Sequence, residues 1–354
     1  MFRGVVVGGV ALLGATFFAL AVGRGAIGSS TATVSRASRA TPRAPATGIV
    51  YVRSGRLSFM NADGSGQRDS GLRVEARGFP VWSPDGRKLA FPGERRNRVA
   101  LSIADRNGRN SRAIGPAGWY DCLWLSWAPD SRRIAYTQNG DCGGDVASYT
   151  VNVDGTSRRS LPRKYSFDPI WSPDGRRILF TDRYRFFVMA VDGSSLRAIR
   201  NADPDVPDGT PNRPPAAWSP DSKRIVYLSG GLYVMNLDGT GRRNLTGGLR
   251  VFSFAPSPDW RQIAIAADDG RIRDIYVLDA DGGNLRKLTS ARRVVNDDPQ
   301  WSPDGRRLSF SRRTGSLGAA SDIYVIDVDG SGERNLTRSP ATNDRAAVWV
   351  PNLR

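Results

Sequence analysis

Trp301-Ser302-Pro303-Asp304-Gly305-Arg306 is one copy of a phrase that stands intact again at Trp82–Arg87 and Trp171–Arg176. Variants read Trp127-Ala128-Pro129-Asp130-Ser131-Arg132, Trp218-Ser219-Pro220-Asp221-Ser222-Lys223 and Pro256-Ser257-Pro258-Asp259-Trp260-Arg261. The six aspartates, at 85, 130, 174, 221, 259 and 304, are separated by 45, 44, 47, 38 and 45 residues. A period of that length is what a four-stranded propeller blade requires. Proline at the first corner and glycine at the end suit a reverse turn, with Ser and Asp side chains bonding local amides.

A second phrase alternates with the first. It reads Ile323-Tyr-Val-Ile-Asp-Val-Asp-Gly330, Ile275-Tyr-Val-Leu-Asp-Ala-Asp-Gly282 and Leu232-Tyr-Val-Met-Asn-Leu-Asp-Gly239, with weaker copies ending at Gly193, Gly155, Gly108 and Gly64. The alternation suits half-buried strands and Asp-Gly is a tight-turn signal. A blade is therefore expected to hold strand A ending at the Trp, strand B after the Asp turn, strand C as the Ile-Tyr-Val run, and a short polar strand D. Six complete blades are expected at 79–117, 118–162, 163–200, 213–248, 250–290 and 296–338. The C-terminal run Ala346–Val350 reads as a lone strand A. Gly48–Val52, Arg56–Met60 and the stretch after Gly64 read as strands B, C and D. Joined, they predict an all-β, seven-bladed ring that leaves no exposed sheet edge; six blades are the alternative.

The two phrases together resemble the TolB-type β-propeller repeat, a WD-like family, over nearly the whole chain beyond residue 46. That resemblance implies an exported protein whose commonest role is protein binding, and it brings no invariant catalytic residue. The ring closes as the sequence reaches Arg354, so a propeller without an attached hydrolase is expected.

Composition narrows the chemistry. The chain of 354 residues is 40% hydrophobic, carries 51 Lys plus Arg against 34 Asp plus Glu, and has no histidine. Ser-His-Asp and Cys-His catalysis and His-bound zinc are thereby excluded. A net charge of +17 favours anionic partners. At the N-terminus, Phe2 and Arg3 precede an uncharged, mostly apolar run from Gly4 to Gly23, with Ala19-Leu20-Ala21 as a small-x-small site. Residues 1–23 read as a signal peptide or a membrane anchor. Residues 24–46, rich in Ser, Thr, Ala, Pro and Arg, read as a disordered linker, and 47–354 as the propeller.

Propeller topology sorts the connections into a turn face (A–B and C–D) and a loop face (B–C and D–A). Basic pairs follow the Asp turns, and Arg87, Arg133, Arg177, Arg224 and Arg307 are the expected basic face, a candidate contact for anionic membrane. On the loop face, Asp121, Asp168, Asp297, Asp298 and Asp344 lie three to six residues before a strand-A Trp and are expected at the channel mouth, extended by Asp203, Asp205 and Asp208. Carboxylates there suit a basic peptide or an oxygen-liganded Ca²⁺, though no calcium-loop spacing is present and no cofactor is expected. Trp119, Tyr120 and Trp124 form the candidate contact patch. Cys122 and Cys142 project from one face of one blade and are expected to form a disulfide, in keeping with an exported chain. The sequons at Asn244 and Asn335 coincide with the strand-D pattern and read as repeat structure. The expected function is a monomeric, non-catalytic scaffold of the cell envelope, binding a protein or polymer at the loop face and no nucleic acid. The alternative is a lactonase- or lyase-like propeller enzyme using mouth carboxylates with a metal.

Overall fold

Each Ser-Pro-Asp-Gly phrase closes on itself in the same way. The Ser hydroxyl donates to the Asp carboxylate at 2.6 Å in Ser302–Asp304 and Ser83–Asp85 and at 2.5 Å in Ser172–Asp174 and Ser219–Asp221. The same carboxylate oxygen accepts the amide of the residue two positions on, as at Arg306 (3.1 Å) and Arg176 (3.0 Å). The turn needs a left-handed residue, supplied by Gly86, Gly175 and Gly305 in the intact copies (φ 70°, 69° and 69°). Where the copies vary, Ser131, Ser222 and Trp260 adopt the same conformation (φ 58°, 57° and 59°). Ser131 and Ser222 gain a bond in exchange, since each hydroxyl accepts an amide of the preceding blade, from Asp85 and Asp174, at 3.1 Å.

The computed structural model describes residues 48–74, 79–95, 98–117, 124–138, 146–182, 185–202, 216–270, 272–290, 293–314, 320–339 and 341–353. The signal or anchor segment and the linker lie outside them. Among the described residues the structure is all β, with seven four-stranded antiparallel sheets. Blade 1 contains β1 (Gly48–Arg53), β2 (Arg56–Asn61) and β3 (Arg68–Arg73). Blade 2 holds β4 (Val81–Trp82), β5 (Lys88–Arg95), β6 (Arg98–Asp105) and β7 (Arg112–Ala113). Blade 3 holds β8 (Leu125–Trp127), β9 (Arg133–Gln138), β10 (Ala147–Asn152) and β11 (Arg159–Ser160). Blade 4 holds β12 (Phe167–Trp171), β13 (Arg177–Thr181), β14 (Phe186–Ala190) and β15 (Arg197–Ala198). Blade 5 holds β16 (Ala216–Trp218), β17 (Arg224–Ser229), β18 (Gly231–Asn236) and β19 (Arg243–Asn244). Blade 6 holds β20 (Arg250–Pro256), β21 (Gln262–Asp268), β22 (Asp274–Asp279) and β23 (Arg286–Lys287). Blade 7 holds β24 (Val294–Trp301), β25 (Arg307–Thr314), β26 (Ser321–Asp327) and β27 (Arg334–Asn335). The last strand, β28 (Asp344–Trp349), returns to pair with β1 and completes blade 1. The seven-bladed reading is thus the observed one and the six-bladed alternative falls. Strand A of blade 7 begins two residues before the expected 296.

Burial explains why the ring must close. Seven apolar clusters fill the described core, and every one straddles two blades rather than filling one. The repeat Trp sits in these seams. Trp127, Trp218, Trp301 and Trp349 send the indole N–H to the strand-A carbonyls of Val81, Ile170, Ala255 and Gln300 in the preceding blade, at 2.8–3.1 Å. The indole N–H groups of Trp82 and Trp171 are buried without an acceptor, so those two seams lack this bond. Successive A strands pack on one another (β8 on β12, β20 on β24, β24 on β28), which puts them at the centre of the ring.

Closure is fastened by charge. Arg53 at the end of β1 grips Asp344 at the start of β28 with two bonds, Nε to Oδ1 at 2.9 Å and Nη2 to Oδ2 at 2.7 Å. The Asp344 side chain is 0% exposed and that of Arg53 27%. Its bonds to Asp344 raise the guanidinium pKa further. Removing the cation strands a carboxylate out of water, which is costly. Arg53→Met is therefore expected to lower stability by about 3 kcal/mol in urea denaturation. Arg56→Met, which breaks the exposed Arg56–Asp69 pair, is expected to cost under about 1 kcal/mol.

Candidate functional site at the inner-strand mouth

The inner strands do not run straight to the loop face. Three residues before the Trp, Asp168, Asp298 and Ala346 adopt left-handed φ values of 52°, 55° and 55°. The A–B pairing slips there, between Phe167 and Ile170 in blade 4 and between Asp297 and Gln300 in blade 7. These are β-bulges, which re-aim side chains at a barrel or propeller rim. Each of the two bulge aspartates donates its amide to a hydroxyl of the preceding blade, Asp168 to Thr137 Oγ1 at 3.0 Å and Asp298 to Ser253 Oγ at 3.2 Å. The expected mouth aspartates Asp168, Asp297, Asp298 and Asp344 are therefore strand residues, not loop residues. Trp124 occupies the matching place in blade 3, immediately before β8, and is half-buried.

The carboxylates differ sharply in what surrounds them. Asp297 pairs with Arg273 and accepts a bond from Ser253 Oγ at 3.0 Å. Asp344 is held by Arg53 and by the Thr342 hydroxyl at 3.2 Å. Both carboxylates are committed to joining strands. Asp168 has no such cation among the described residues. The residue keeps part of its surface, yet its Oδ1 is shut off from solvent and meets no donor. Burial pushes its pKa up to about 7. Below it lies a buried hydroxyl layer: Thr137 Oγ1 and Ser148 Oγ are 3.2 Å apart, and Ser148 is bonded to Ser166 through its amide (2.8 Å) and hydroxyl (2.9 Å). Since β8 packs on β12, Trp124, just before β8, and Asp168, in β12, belong to neighbouring blades. Asp298 lies three blades further round. Among the described residues no group of three His, Cys, Asp or Glu is placed to hold a metal ion.

Residues 181–353 match the family described as the TolB beta propeller domain. That match runs from the end of β13 to just past β28, so it covers part of the seven-bladed ring. The likeness to solved structures is one of fold. TolB from Acinetobacter baumannii superposes with a TM-score of 0.52 at 18% identity, covering 86% of this chain and 82% of that one. The propeller domain of the Trilobed protease from Pyrococcus furiosus gives 0.59 at 14% identity, covering 84% and 95%. Among curated proteins, uncharacterized peptidase YuxL of Bacillus subtilis (strain 168) is 28% identical over 200 residues, 52% of this chain and 28% of that protein. The chain spans between 28% and 52% of the length of the curated relatives it matches first.

On the turn face of this TolB-type propeller the basic residues divide into two sets. Arg87, Arg132, Arg176, Lys223, Arg261 and Arg306, the first cation after each Asp turn, are exposed. The second cation behaves differently. Arg133, Arg177 and Arg307 lie over the Trp of the next blade, 4.7 Å from Trp171, 5.6 Å from Trp218 and 5.1 Å from Trp349. They seal seams as well as carry charge. Arg224, whose next blade offers Pro256 in place of Trp, is exposed.

One regularity escaped the sequence reading. Every strand D opens on an arginine, four residues after the C–D turn glycine: Arg68, Arg112, Arg159, Arg197, Arg243, Arg286 and Arg334. Arg112 and Arg197 donate to the carbonyls of Val153 (2.6 Å) and Leu237 (2.8 Å) in the next blade's C–D turn, and Arg243 reaches Asp281. The signal lies in the sequence as a fixed spacing from the C–D turn glycine. The sequon residues are likewise engaged, Thr246 and Thr337 accepting strand-C amides at 3.1 and 3.0 Å. Trp119, Tyr120, Asp121, Cys122, Cys142, Asp203, Asp205 and Asp208 lie outside the described residues.

The raised pKa of Asp168 makes a pH signature. An acid whose folded pKa exceeds its unfolded value near 3.9 holds its proton more tightly in the native state. Its contribution is full below about pH 4 and is lost as pH rises to about 7, at no more than about 1.4 kcal/mol per pH unit. Asp168→Asn is expected to remove that component. The stability difference between wild type and variant, followed from pH 4 to 8, should change through this window and level off above it; parallel curves would refute the assignment.

Proposed function

We propose that this chain is a binding propeller of the cell envelope, engaging a protein or polymer partner through the inner-strand mouth of blades 3 and 4. The reading is supported above all by the contrast among the carboxylates. Acid–base or oxygen-ligand metal chemistry needs carboxylates that converge and are free to ionise or coordinate. Asp297 and Asp344 are tied to Arg273 and Arg53, whereas Asp168, one blade on from Trp124, keeps Oδ1 without a partner among the described residues. An indole and a titratable carboxyl on neighbouring blades suit a partner that offers one apolar group and one donor. The TolB-type repeat accords with an exported setting. The peptidase names of curated relatives belong to proteins of which this chain spans only a part.

Capture from envelope extract on the immobilised chain tests the proposal. A partner held by the wild type should be lost at least tenfold with Asp168→Arg or Trp124→Ala, and kept with the turn-face variant Arg132→Glu. Unchanged capture by both mouth variants would sink the reading. Turnover of a peptide anilide or polyuronate that disappears in Asp168→Asn would replace it with the enzymatic one.

The exposed turn-face cations support a second contact, with an anionic surface. Each cation near anionic lipid contributes about 1 kcal/mol. Co-sedimentation is expected with vesicles containing anionic lipid and not with neutral ones; equal binding to both removes this contact.

A further inference from the structure

The six copies of the turn phrase act as controls for one another, and one of them is missing a part. The residue after the first cation is Lys88, Arg133, Arg177, Arg224 or Arg307 in five copies and Gln262 in blade 6. The arginine of blade 4 shows what the position does. Arg177 lies over Trp218 of the next blade, pairs with Asp174 Oδ2 of its own blade at 3.2 Å, and donates to the Ser222 carbonyl of the next blade at 3.0 Å. Arg133 repeats the first two contacts, with Trp171 and Asp130.

In the seam between blades 6 and 7 all three receptors are present, but no arginine stands at the position that Arg177 holds in blade 4. The corresponding groups are Trp301, Asp259 and Gly305, and together with Gln262 they line one cleft of about 510 Å³. Asp279 and Asp304 add carboxylates to its wall, and Arg261 adds a cation. Among the described residues no cation lies over Trp301; Arg261 stands at the cleft's wall, 86% exposed, with Nε 3.7 Å from Asp259 Oδ2. Asp259 keeps its shape without the missing arginine because Oδ1 is held by Ser257 Oγ at 2.6 Å and by the Arg261 amide at 3.1 Å. The receptor is thus preorganised at Oδ1, and Oδ2, which meets Arg177 and Arg133 in the sister turns, has the exposed Arg261 Nε at 3.7 Å.

We propose that this cleft is a binding site for an arginine side chain presented by a peptide segment of a partner. The incoming guanidinium stacks on Trp301, pairs with Asp259 and donates to the Gly305 carbonyl, repeating intermolecularly what Arg177 does within the chain. A lysine fits less well, because an ammonium lacks the planar fork that meets carboxylate and carbonyl together. The cationic ring on this face opposes any cation, so selectivity rests on these directed contacts rather than on net charge. The site is on the opposite face from the mouth of blades 3 and 4, and its success or failure is independent of that reading.

Titration of the full chain with acetyl-Gly-Arg-Gly-amide, followed at the Trp301 indole resonance, tests the proposal. Saturable binding with a Kd on the order of millimolar is expected. The citrulline analogue, isosteric but uncharged, should bind at least tenfold more weakly. Gln262→Arg should supply the guanidinium from within, abolish peptide binding and raise the melting temperature. Asp259→Asn should weaken binding about fivefold or more, an independent check if Gln262→Arg does not fold. Equal binding of the citrulline peptide, undiminished binding to either variant, or no saturation with the arginine peptide would overturn the site.

Discussion

A four-stranded blade has two apolar faces and no way to cover either alone. All seven apolar clusters of this propeller lie between blades, so no blade has a core of its own and each is stable only through its neighbours. An open ring would expose two such faces and an unpaired strand edge at once. The return of β28 to β1 is therefore a condition for the other seams, not an ornament of the termini. That is why the most completely buried ion pair at the mouth, Arg53 with Asp344, joins residues 291 positions apart.

The same constraint accounts for much of the charge. Seams need lateral bonds at their outer and turn-face rims, where apolar contact ends. Arginine supplies them because its stem packs while its fork reaches two acceptors. Strand-D arginines meet the next blade's turn, and the second turn arginines cover the next blade's Trp. A large part of the positive excess is thus a consequence of the architecture. The exposed first cation of each turn, and Arg224, remain for a partner.

Most of the fold was legible because repetition multiplies weak local signals. Asp304-Gly305 alone is an ordinary turn, but six aspartates at near-constant spacing specify blades, strand order and even the shared blade 1. The candidate site was legible only in part. Proximity to a Trp in sequence placed Asp168, Asp297 and Asp344 at the mouth, but nothing local distinguishes them. Their fates depend on partners from other strands: Arg273 for Asp297, Arg53 for Asp344, and none for Asp168 Oδ1. The bulges were also out of reach, although the Asp-Pro pairs at 168–169 and 298–299 mark where the inner strand departs from the ladder. Pairwise contacts over tens to hundreds of residues are the information a period does not contain.

Departures from a repeat deserve more weight than odd residues in an irregular fold, because the other copies state what the position does when it serves the architecture. Asp168 stands at a place where blade 1 has Ala346, so a carboxylate is not required to form the bulge. Its buried carboxyl disfavours the ionised form and is balanced by no bond at Oδ1. Gln262 is the converse case: the architecture's usual arginine is absent while its receptors are kept. One site retains a costly group that the fold does not need, and the other omits a helpful group that the fold uses elsewhere. Neither economy of packing nor turn chemistry accounts for these two choices, which is why the repeat itself singles out these two places, on opposite faces, as separate candidates for binding.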